Sequence, residues 1–457
     1  MKVLLISVNN EVDPYPVAPL GILYIAGALQ KKGHSVRIFD LCFVENEEKA
    51  IKDSIDGFSP DVIGISIRNI DNLTFNKSLF YLPRIRDIVS DIRKYTAAPV
   101  VAGGSGFSIF AGEVLDYLNL DFGIVGEGEE AFPQWLEALN NGGDFSTVPN
   151  LCYRTGNGLK VNVSRFCSFD FLPDRSLLDN RQYLELGGMG NIQSKRGCPF
   201  SCAYCTYPGI NGNRLRLRDP GDVAEEMREM VSRYGIDFAF FTDDIFNVPE
   251  EHASAICEEI IRGDIRINWT CFATPKNMSR ELARLMKEAG CRGVEFGSDA
   301  CSEKTLKELN KHFTIDDIAF AAECCRSVDL PNAHYIIIGG PGENDSTLKE
   351  TFTHFDKIRP TAVIALIGLR IYPNTLLQKR ALADNIIEQD ANLLEPVFYL
   401  TPERSADILF HEVSIHAKQR QNWIVPGLHI RCDSKVLTML RRMGKHGPLW
   451  DLLTLNT

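Results

Sequence analysis

Residues 191–208 read NIQSKRGCPFSCAYCTYP, and within them Cys198, Cys202 and Cys205 stand in a Cys-x3-Cys-x2-Cys spacing. Thiolates are soft, anionic ligands, and three so close along the chain can wrap one metal centre. A [4Fe-4S] cubane held by three cysteines keeps one iron open, and an open iron can chelate a substrate. Structural zinc takes four closed ligands. No fourth Cys or His stands nearby, and the next histidine downstream is His252. Zinc, or a disulfide with a spare thiol, remains the alternative reading of the spacing. Ligand number favours the cluster.

The motif opens a run of alternating strands and helices. NIQSKRGC (191–198), DFAFFTDD (237–244), NWTCFATP (268–275), GVEFGSD (293–299), HYIIIGG (334–340) and VIALIGLRIYP (363–373) read as strands. Helical patterns such as DVAEEMREMVSRYG and SRELARLMKEAG lie between them. Six such units fall short of the eight of a closed barrel. The expectation is a partial (β/α)6 barrel over 188–383, with polar or Gly-rich strand ends where barrels keep their chemistry. Upstream, VLLISV (3–8), SVRIFD (35–40), VIGISI (62–67), VVAGG (99–103) and FGIVGEG (122–128) alternate with helices. They predict a separate α/β domain over 1–145, a parallel sheet whose ligands bind beyond the carboxyl ends of its strands. NNGGDFSTVPN and RTGNG carry turn residues, so 146–187 reads as an extended linker. Residues 384–457 lose the alternation and read as a mostly helical tail that forms part of a substrate pocket.

The chain has 457 residues, 44% hydrophobic and 24% charged, ordinary for a folded protein, with net charge −11. That balance argues against broad nucleic-acid binding, which needs a cationic face. The apolar stretch at Val3–Val8 is too short for a signal-peptide core, and no apolar run reaches membrane-spanning length, so a cytoplasmic location is expected. Thirteen cysteines, an odd number, do not suit a small disulfide scaffold. Those outside the motif, such as Cys42, Cys257, Cys324 and Cys325, read as buried inert thiols.

The cysteine motif just after the first strand of a six-unit barrel resembles the radical S-adenosylmethionine (SAM) signature. In that family the open iron binds the amino and carboxylate groups of SAM, and an electron from the cluster cleaves SAM to a 5′-deoxyadenosyl radical. On this resemblance Tyr204 matches the aromatic at the adenine side. Asp243 and Asp244, in Thr242-Asp243-Asp244, fall where the family contacts the SAM amino group. A helix N-cap is the plain structural alternative for these carboxylates. Gly340, in Gly339-Gly340-Pro341-Gly342-Glu343, resembles the fifth-strand turn near the adenine. Arg370, in Arg370-Ile371-Tyr372-Pro373-Asn374-Thr375, resembles the sixth-strand motif of the cobalamin-binding branch. Two positions depart from the pattern. Asp299 stands where many members have Glu near the ribose, and Thr274 where many carry an Arg for the SAM carboxylate.

PLGILYIAGALQKKGHSVRIFD (19–40), VVAGGSGFSIFAG (100–112) and IVGEGEEAF (124–132), in this order before the cysteines, resemble the Rossmann-like cobalamin-binding domain attached to many radical SAM enzymes. Gly103, Gly104, Gly126 and Gly128 would let the backbone approach a large ligand. Glu127 and Glu129 read as cofactor contacts or as helix N-terminal acids. No Asp-x-His-x-x-Gly motif is present, and His34 reads as a surface turn residue. The resemblance therefore implies cobalamin without a histidine lower ligand. Arg68, closing the third strand, would lie below cobalt or serve as a surface or phosphate-binding residue.

The resemblance implies a methyltransferase acting on an unactivated carbon, or phosphorus, of a small-molecule or natural-product substrate. It also implies methylcobalamin and an electron donor such as a flavodoxin, ferredoxin or reductase. Cyclisation, oxidation or rearrangement without net methylation, and methyl transfer without reductive SAM cleavage, are the enzymatic alternatives. A corrinoid-binding or metal-sensing protein is the non-enzymatic one. Arg431, Lys435, Arg441, Arg442 and Lys445 read as a solvated helix face or a contact for an anionic substrate.

Overall fold

The computed structural model describes residues 1–426, 439 and 446–453. Two compact units emerge. The first holds Met1–Asn72, Leu79–Asn180 and Gly209–Gly212, and the second holds Leu73–Ser78, Arg181–Pro208 and the chain from Asn213 onward.

The sheet of the first unit contains β1 (Lys2–Ser7), β2 (Ser35–Asp40), β3 (Val62–Ser66), β4 (Val100–Gly103), β5 (Phe122–Ile124), β6 (Leu151–Thr155) and β7 (Gly158–Val161), in the order β2-β1-β3-β4-β5-β6-β7. The first five are parallel. Their continuous apolar runs suit strands covered on both faces: Val3, Leu4 and Ile6 are fully buried, with Leu23, Leu29, Trp135 and Leu136 packed around the sheet. The stretch expected to be an extended linker instead carries the β6–β7 hairpin, which adds antiparallel to β5. The boundary near 145 therefore moves to about Asn180. A turn-rich sequence between two short strands is a hairpin as readily as a linker.

In the second unit β8 (Gly190–Ile192) leads into β9 (Lys195–Arg196), which pairs antiparallel with β10 (Arg216–Leu217). The main sheet continues with β11 (Phe238–Phe241), β12 (Asn268–Ala273), β13 (Cys291–Asp299), β14 (Asn332–Ile338) and β15 (Ala362–Ile367). With β18 (Trp423–Ile424) added, its order is β18-β15-β14-β13-β12-β11-β8, all parallel. All six expected strands are present, and a seventh, β18 (Trp423–Ile424), comes from the tail. The tail also contributes β17 (Phe398–Tyr399), paired with β16 (Leu369–Arg370), and the helix Ala406–Lys418.

Alternate strand residues divide this sheet cleanly. Ala239, Phe241, Trp269, Cys271, Val294 and Phe296 join the core under the helices. Residues of the opposite parity, Phe240, Phe272, Glu295, Tyr335 and Leu366, face inward. The basic residues Arg431, Lys435, Arg441, Arg442 and Lys445 lie outside the described residues. Among the described residues no helix is long and apolar enough to cross a membrane.

Candidate active site

The loop from β8 to the cysteines is anchored by Asp243, at the end of β11. Its buried carboxylate accepts from the Ser194 amide (2.7 Å), the Ser194 hydroxyl and the Lys195 amide (3.1 Å). Lys195 turns inward and donates to the carbonyls of Phe246 (2.6 Å) and Val248 (3.0 Å). Burial pulls its ammonium down to about 8, against the opposing charge of Asp243. Asp243 is thus spent on holding the loop.

That loop carries Cys198, which is buried, and Cys202 and Cys205, which are half-buried; all three are free thiols. Burial pushes Cys198 up to about 11 and Cys205 up to about 12, and each is raised further by Cys202 and Asp244. The three sulfurs are therefore electrostatic neighbours. They stay protonated until a metal takes the proton's place. Among the described residues no three His, Cys, Asp or Glu side chains close on a single-ion site. A cubane distributes its thiolates over different irons, so its ligands need not converge on one point.

Asp244 differs from its neighbour. Its Oδ2 is closed off from solvent without a hydrogen-bond partner, and burial, with Asp243 beside it, pushes its carboxyl up to about 7. An unpaired enclosed carboxylate is costly and is relieved by a cation. The donor set of the loop fits an iron–sulfur cluster, and the orphaned Asp244 oxygen fits an ammonium beside it.

The Tyr204 hydroxyl donates to Asp299 Oδ2 at 2.5 Å. Lys311 ion-pairs with the same carboxylate and reaches Cys202 Sγ at 3.4 Å and the Tyr204 oxygen at 3.5 Å. Burial lowers the Lys311 pKa, but Asp299, Tyr204 and Cys202 outweigh it and hold the ammonium well above its usual range. The sequence reading missed Lys311. In NKHF it looks like any surface lysine, and only the return of this segment onto the cysteine loop reveals it.

Gly340 sits in the turn after β14, where Glu343 accepts from the Gly339 amide (2.7 Å). Burial pushes the Glu343 carboxyl up to about 7. Arg370 is buried, and its guanidinium donates to the carbonyls of Ile371 (2.7 Å) and Leu393 (2.7 Å), with longer contacts to Val397 and Leu394. It ties the 393–397 segment to the sixth strand rather than presenting itself to a ligand. The Thr274 backbone is clamped by Asn247, whose side chain donates to its carbonyl (2.8 Å) and accepts from its amide (2.9 Å).

In the first unit the expected residues gather at the carboxyl ends of β3, β4 and β5. Arg68 is exposed there, and its carbonyl accepts from Ser105 Oγ (2.8 Å) and the Gly106 amide (2.8 Å). Ser108 Oγ donates to the Gly104 carbonyl and accepts from the Gly126 amide, both at 2.8 Å, locking two loops together. A Cβ on Gly104 would lie 2.6 Å from the Ile67 carbonyl oxygen, and its φ is +101°. A Cβ on Gly128 would strike Ile25 at 2.7 Å. A Cβ would therefore meet backbone at Gly104 and the tip of a side chain at Gly128. Gly103 is open, its nearest neighbour being the Ile124 carbonyl at 3.7 Å. Glu127 is buried and accepts from the Cys167 amide at 2.6 Å, so it fastens the strand end to the segment beyond the hairpin. Neither Glu127 nor Glu129 lies in the first turn of the helix Ala131–Asn140.

A parallel sheet with glycine-rich carboxyl-end loops, followed by a partial barrel whose first strand leads into a three-cysteine loop, defines a radical SAM protein with an attached B12-binding domain. The chain carries both domains of that architecture: residues 192–355 match the Radical SAM superfamily and residues 6–136 the B12 binding domain. It is 24% identical to the tryptophan 2-C-methyltransferase of Streptomyces laurentii, over 81% of this chain and 73% of that one. It is 26% identical to an uncharacterized methyltransferase of Pyrococcus horikoshii, over 85% and 84%. The fold matches the radical SAM methyltransferase TsrM from Kitasatospora setae, solved with cobalamin and a [4Fe-4S] cluster. The TM-score is 0.87, at 24% identity, over 99% of this chain and 97% of that one.

Proposed function

We propose that this chain is a cobalamin-dependent radical SAM methyltransferase that moves a methyl group from SAM to an unactivated carbon, or phosphorus, of a small molecule. Cys198, Cys202 and Cys205 would hold the [4Fe-4S] cluster. Asp244 would take the SAM ammonium, with Tyr204, Asp299 and Gly340 bordering the nucleoside. Arg68, Gly103, Gly104 and the Gly126–Gly128 turn would receive cobalamin at the strand ends of the first unit. When bound, these groups supply the one-electron and methyl-carrier chemistry that side chains cannot.

The chain's own part is binding, positioning and exclusion of water. Asp243 sets the path of the cysteine loop through Ser194 and Lys195. Lys311 and Tyr204 fix Asp299, and Lys311 places a positive charge against the Cys202 sulfur. An external reductase, flavodoxin or ferredoxin would supply electrons in the cytoplasm. The observation that carries this reading is the unpaired Asp244 carboxylate beside three neighbouring thiols.

Protein purified without oxygen should hold about four irons with matching sulfide, show a corrinoid band, and transfer label from methyl-labelled SAM to an acceptor. Iron without affinity for corrinoid would remove the methyltransferase mechanism. Thr274, in place of an arginine, favours a second reading in which methyl transfer proceeds without reductive SAM cleavage. Labelled product without 5′-deoxyadenosine would select it.

A further inference from the structure

Residues 309–312 follow the helix Glu303–Glu308 and fold back onto the cysteine loop. The Ala203 amide donates to the Leu309 carbonyl at 2.9 Å. Asn310, held in the left-handed region at φ +54°, donates from Nδ2 to the Ser201 carbonyl at 2.6 Å and to its hydroxyl at 2.9 Å. The His312 ring stacks on Phe200, with centroids 5.3 Å apart. The residues on either side of Cys202 are therefore tied to the short run that carries Lys311.

The lysine side chain is 7% exposed, and its Nζ lies 5.5 Å from the centre of the Tyr204 ring and 5.7 Å from that of Phe313. An ammonium has three N–H donors. They meet the Asp299 carboxylate, Cys202 Sγ at 3.4 Å and the Tyr204 oxygen at 3.5 Å. Asp299 is itself held in place. β13 shifts register between Gly297 and Asp299, and Asp299 takes φ +61°. An irregularity of this kind re-aims a side chain. Ser298 fixes it from below: its hydroxyl is hydrogen-bonded to His334 Nδ1 at 2.7 Å, and both residues are fully buried. The other two thiols are treated differently. Backbone amides of Phe200 and Tyr207 hydrogen-bond Cys198 and Cys205. Cys202 meets a full positive charge.

We propose that Lys311 sets the reduction potential of the cluster by donating an N–H···S hydrogen bond to the Cys202 thiolate, with Asp299 as the counter-charge that limits the effect. The inference rests on the reading that Cys198, Cys202 and Cys205 hold a [4Fe-4S] cluster. Reduction moves one electron from a low-potential donor to the cluster, and no bond forms or breaks. A cation against a ligating sulfur favours the more negative, reduced form, and hydrogen bonds to the sulfurs act in the same direction. Lys311→Met removes both, so the cluster becomes harder to reduce. Asp299→Asn leaves the ammonium without its counter-charge, so the cluster becomes easier to reduce. A merely structural ion pair does not give opposite shifts from its two halves.

The test is an anaerobic redox titration of the holoprotein without SAM, followed by electron paramagnetic resonance, which separates the reduced cluster from cob(II)alamin. Lys311→Met should shift the cluster midpoint negative by about 59 mV or more, a tenfold change in the reduction equilibrium of a one-electron couple. Lys311→Arg, which keeps the charge, should lie closer to the parent, and Asp299→Asn should shift positive. A midpoint unmoved in Lys311→Met, or moved negative in Asp299→Asn, overturns the proposal. An unmoved midpoint with weakened SAM binding does so too, and assigns Lys311 to the SAM carboxylate. If Lys311→Met does not retain its iron, the sign of the Asp299→Asn shift decides. A parent protein that holds no four-iron cluster sinks the cluster reading and this proposal with it, whereas a cluster indifferent to Lys311 sinks the proposal alone.

Discussion

Adjacent aspartates at the end of β11 should behave oppositely when removed. Asp243→Ala deletes the acceptor for the Ser194 amide, the Ser194 hydroxyl and the Lys195 amide, in residues that are 0% and 2% exposed. A buried donor left without a partner costs about 1–3 kcal/mol. The hydroxyl can turn elsewhere, but the two amides cannot, and the buried Lys195 ammonium loses its opposite charge as well. The expected destabilisation is about 3–5 kcal/mol. At ~2–3 °C per kcal/mol for a unit of this size, the midpoint should fall by roughly 6–15 °C. Asp244→Ala removes a carboxylate whose enclosed oxygen has no partner, so its midpoint should equal or exceed that of the parent protein. Its cost should appear in SAM affinity, weakened by about tenfold or more through loss of the ammonium's partner. Thermal melts of the metal-free variants followed by near-ultraviolet circular dichroism, with equilibrium dialysis of labelled SAM against the loaded ones, separate the effects. The reasoning fails if Asp244→Ala melts as low as Asp243→Ala, or if it binds SAM like the parent.

Three further outcomes follow from buried groups. The Glu343 carboxyl is raised by burial from its ordinary 4.5 to about 7, so its stabilising effect is complete in acid and is lost as pH rises through about 7. Glu343→Gln, which keeps an acceptor for the Gly339 amide, should flatten the decline in stability between pH 5 and 8, worth up to roughly 3 kcal/mol; denaturant titrations across that range check it. Arg370→Met should release the 393–397 segment and cost about 2–4 kcal/mol. Limited proteolysis would then cut that segment in the variant first, whereas loss of SAM or corrinoid affinity with an unaltered digest would show a cofactor role. Gly104→Ala forces a Cβ to 2.6 Å from a backbone oxygen in a glycine-only conformation and should cost at least about 2–3 kcal/mol. Gly103→Ala, at an open position, should leave stability unchanged and report on corrinoid binding alone, read from the visible spectrum.

Local signals carried far in this chain. VIGISI overlaps β3 over Val62–Ser66, because a parallel strand covered on both sides must be apolar and β-branched in its own sequence. The cysteine spacing picked out the loop after β8 because its three thiols are close along the chain. The hairpin at 151–161 was misread because TGNG marks a turn without saying whether the strands beside it find a sheet. Contacts across long separations left no trace. Lys311 gains its meaning from Cys202, 109 residues away, and Trp450 from Glu295, 155 residues away.

Motif resemblance located positions better than it located roles. Arg370 and Glu127 both fall in recognised stretches, yet their charged groups are consumed by backbone carbonyls and by an amide of the same chain. The glycines divide likewise: Gly104 is required by the Ile67 backbone, Gly128 abuts only the flexible tip of Ile25, and Gly103 has the Ile124 carbonyl at ordinary contact distance. A conserved-looking residue can therefore serve the loop that forms a site rather than the ligand that enters it. Asp243 and Asp244 show why sequence cannot decide between the two. They are identical in type and adjacent, and a strand end turns them to different surroundings, one to three donors and the other to none. Which of them meets a cofactor is set by where the protein has already spent its hydrogen-bond donors, and that accounting exists only in the folded chain.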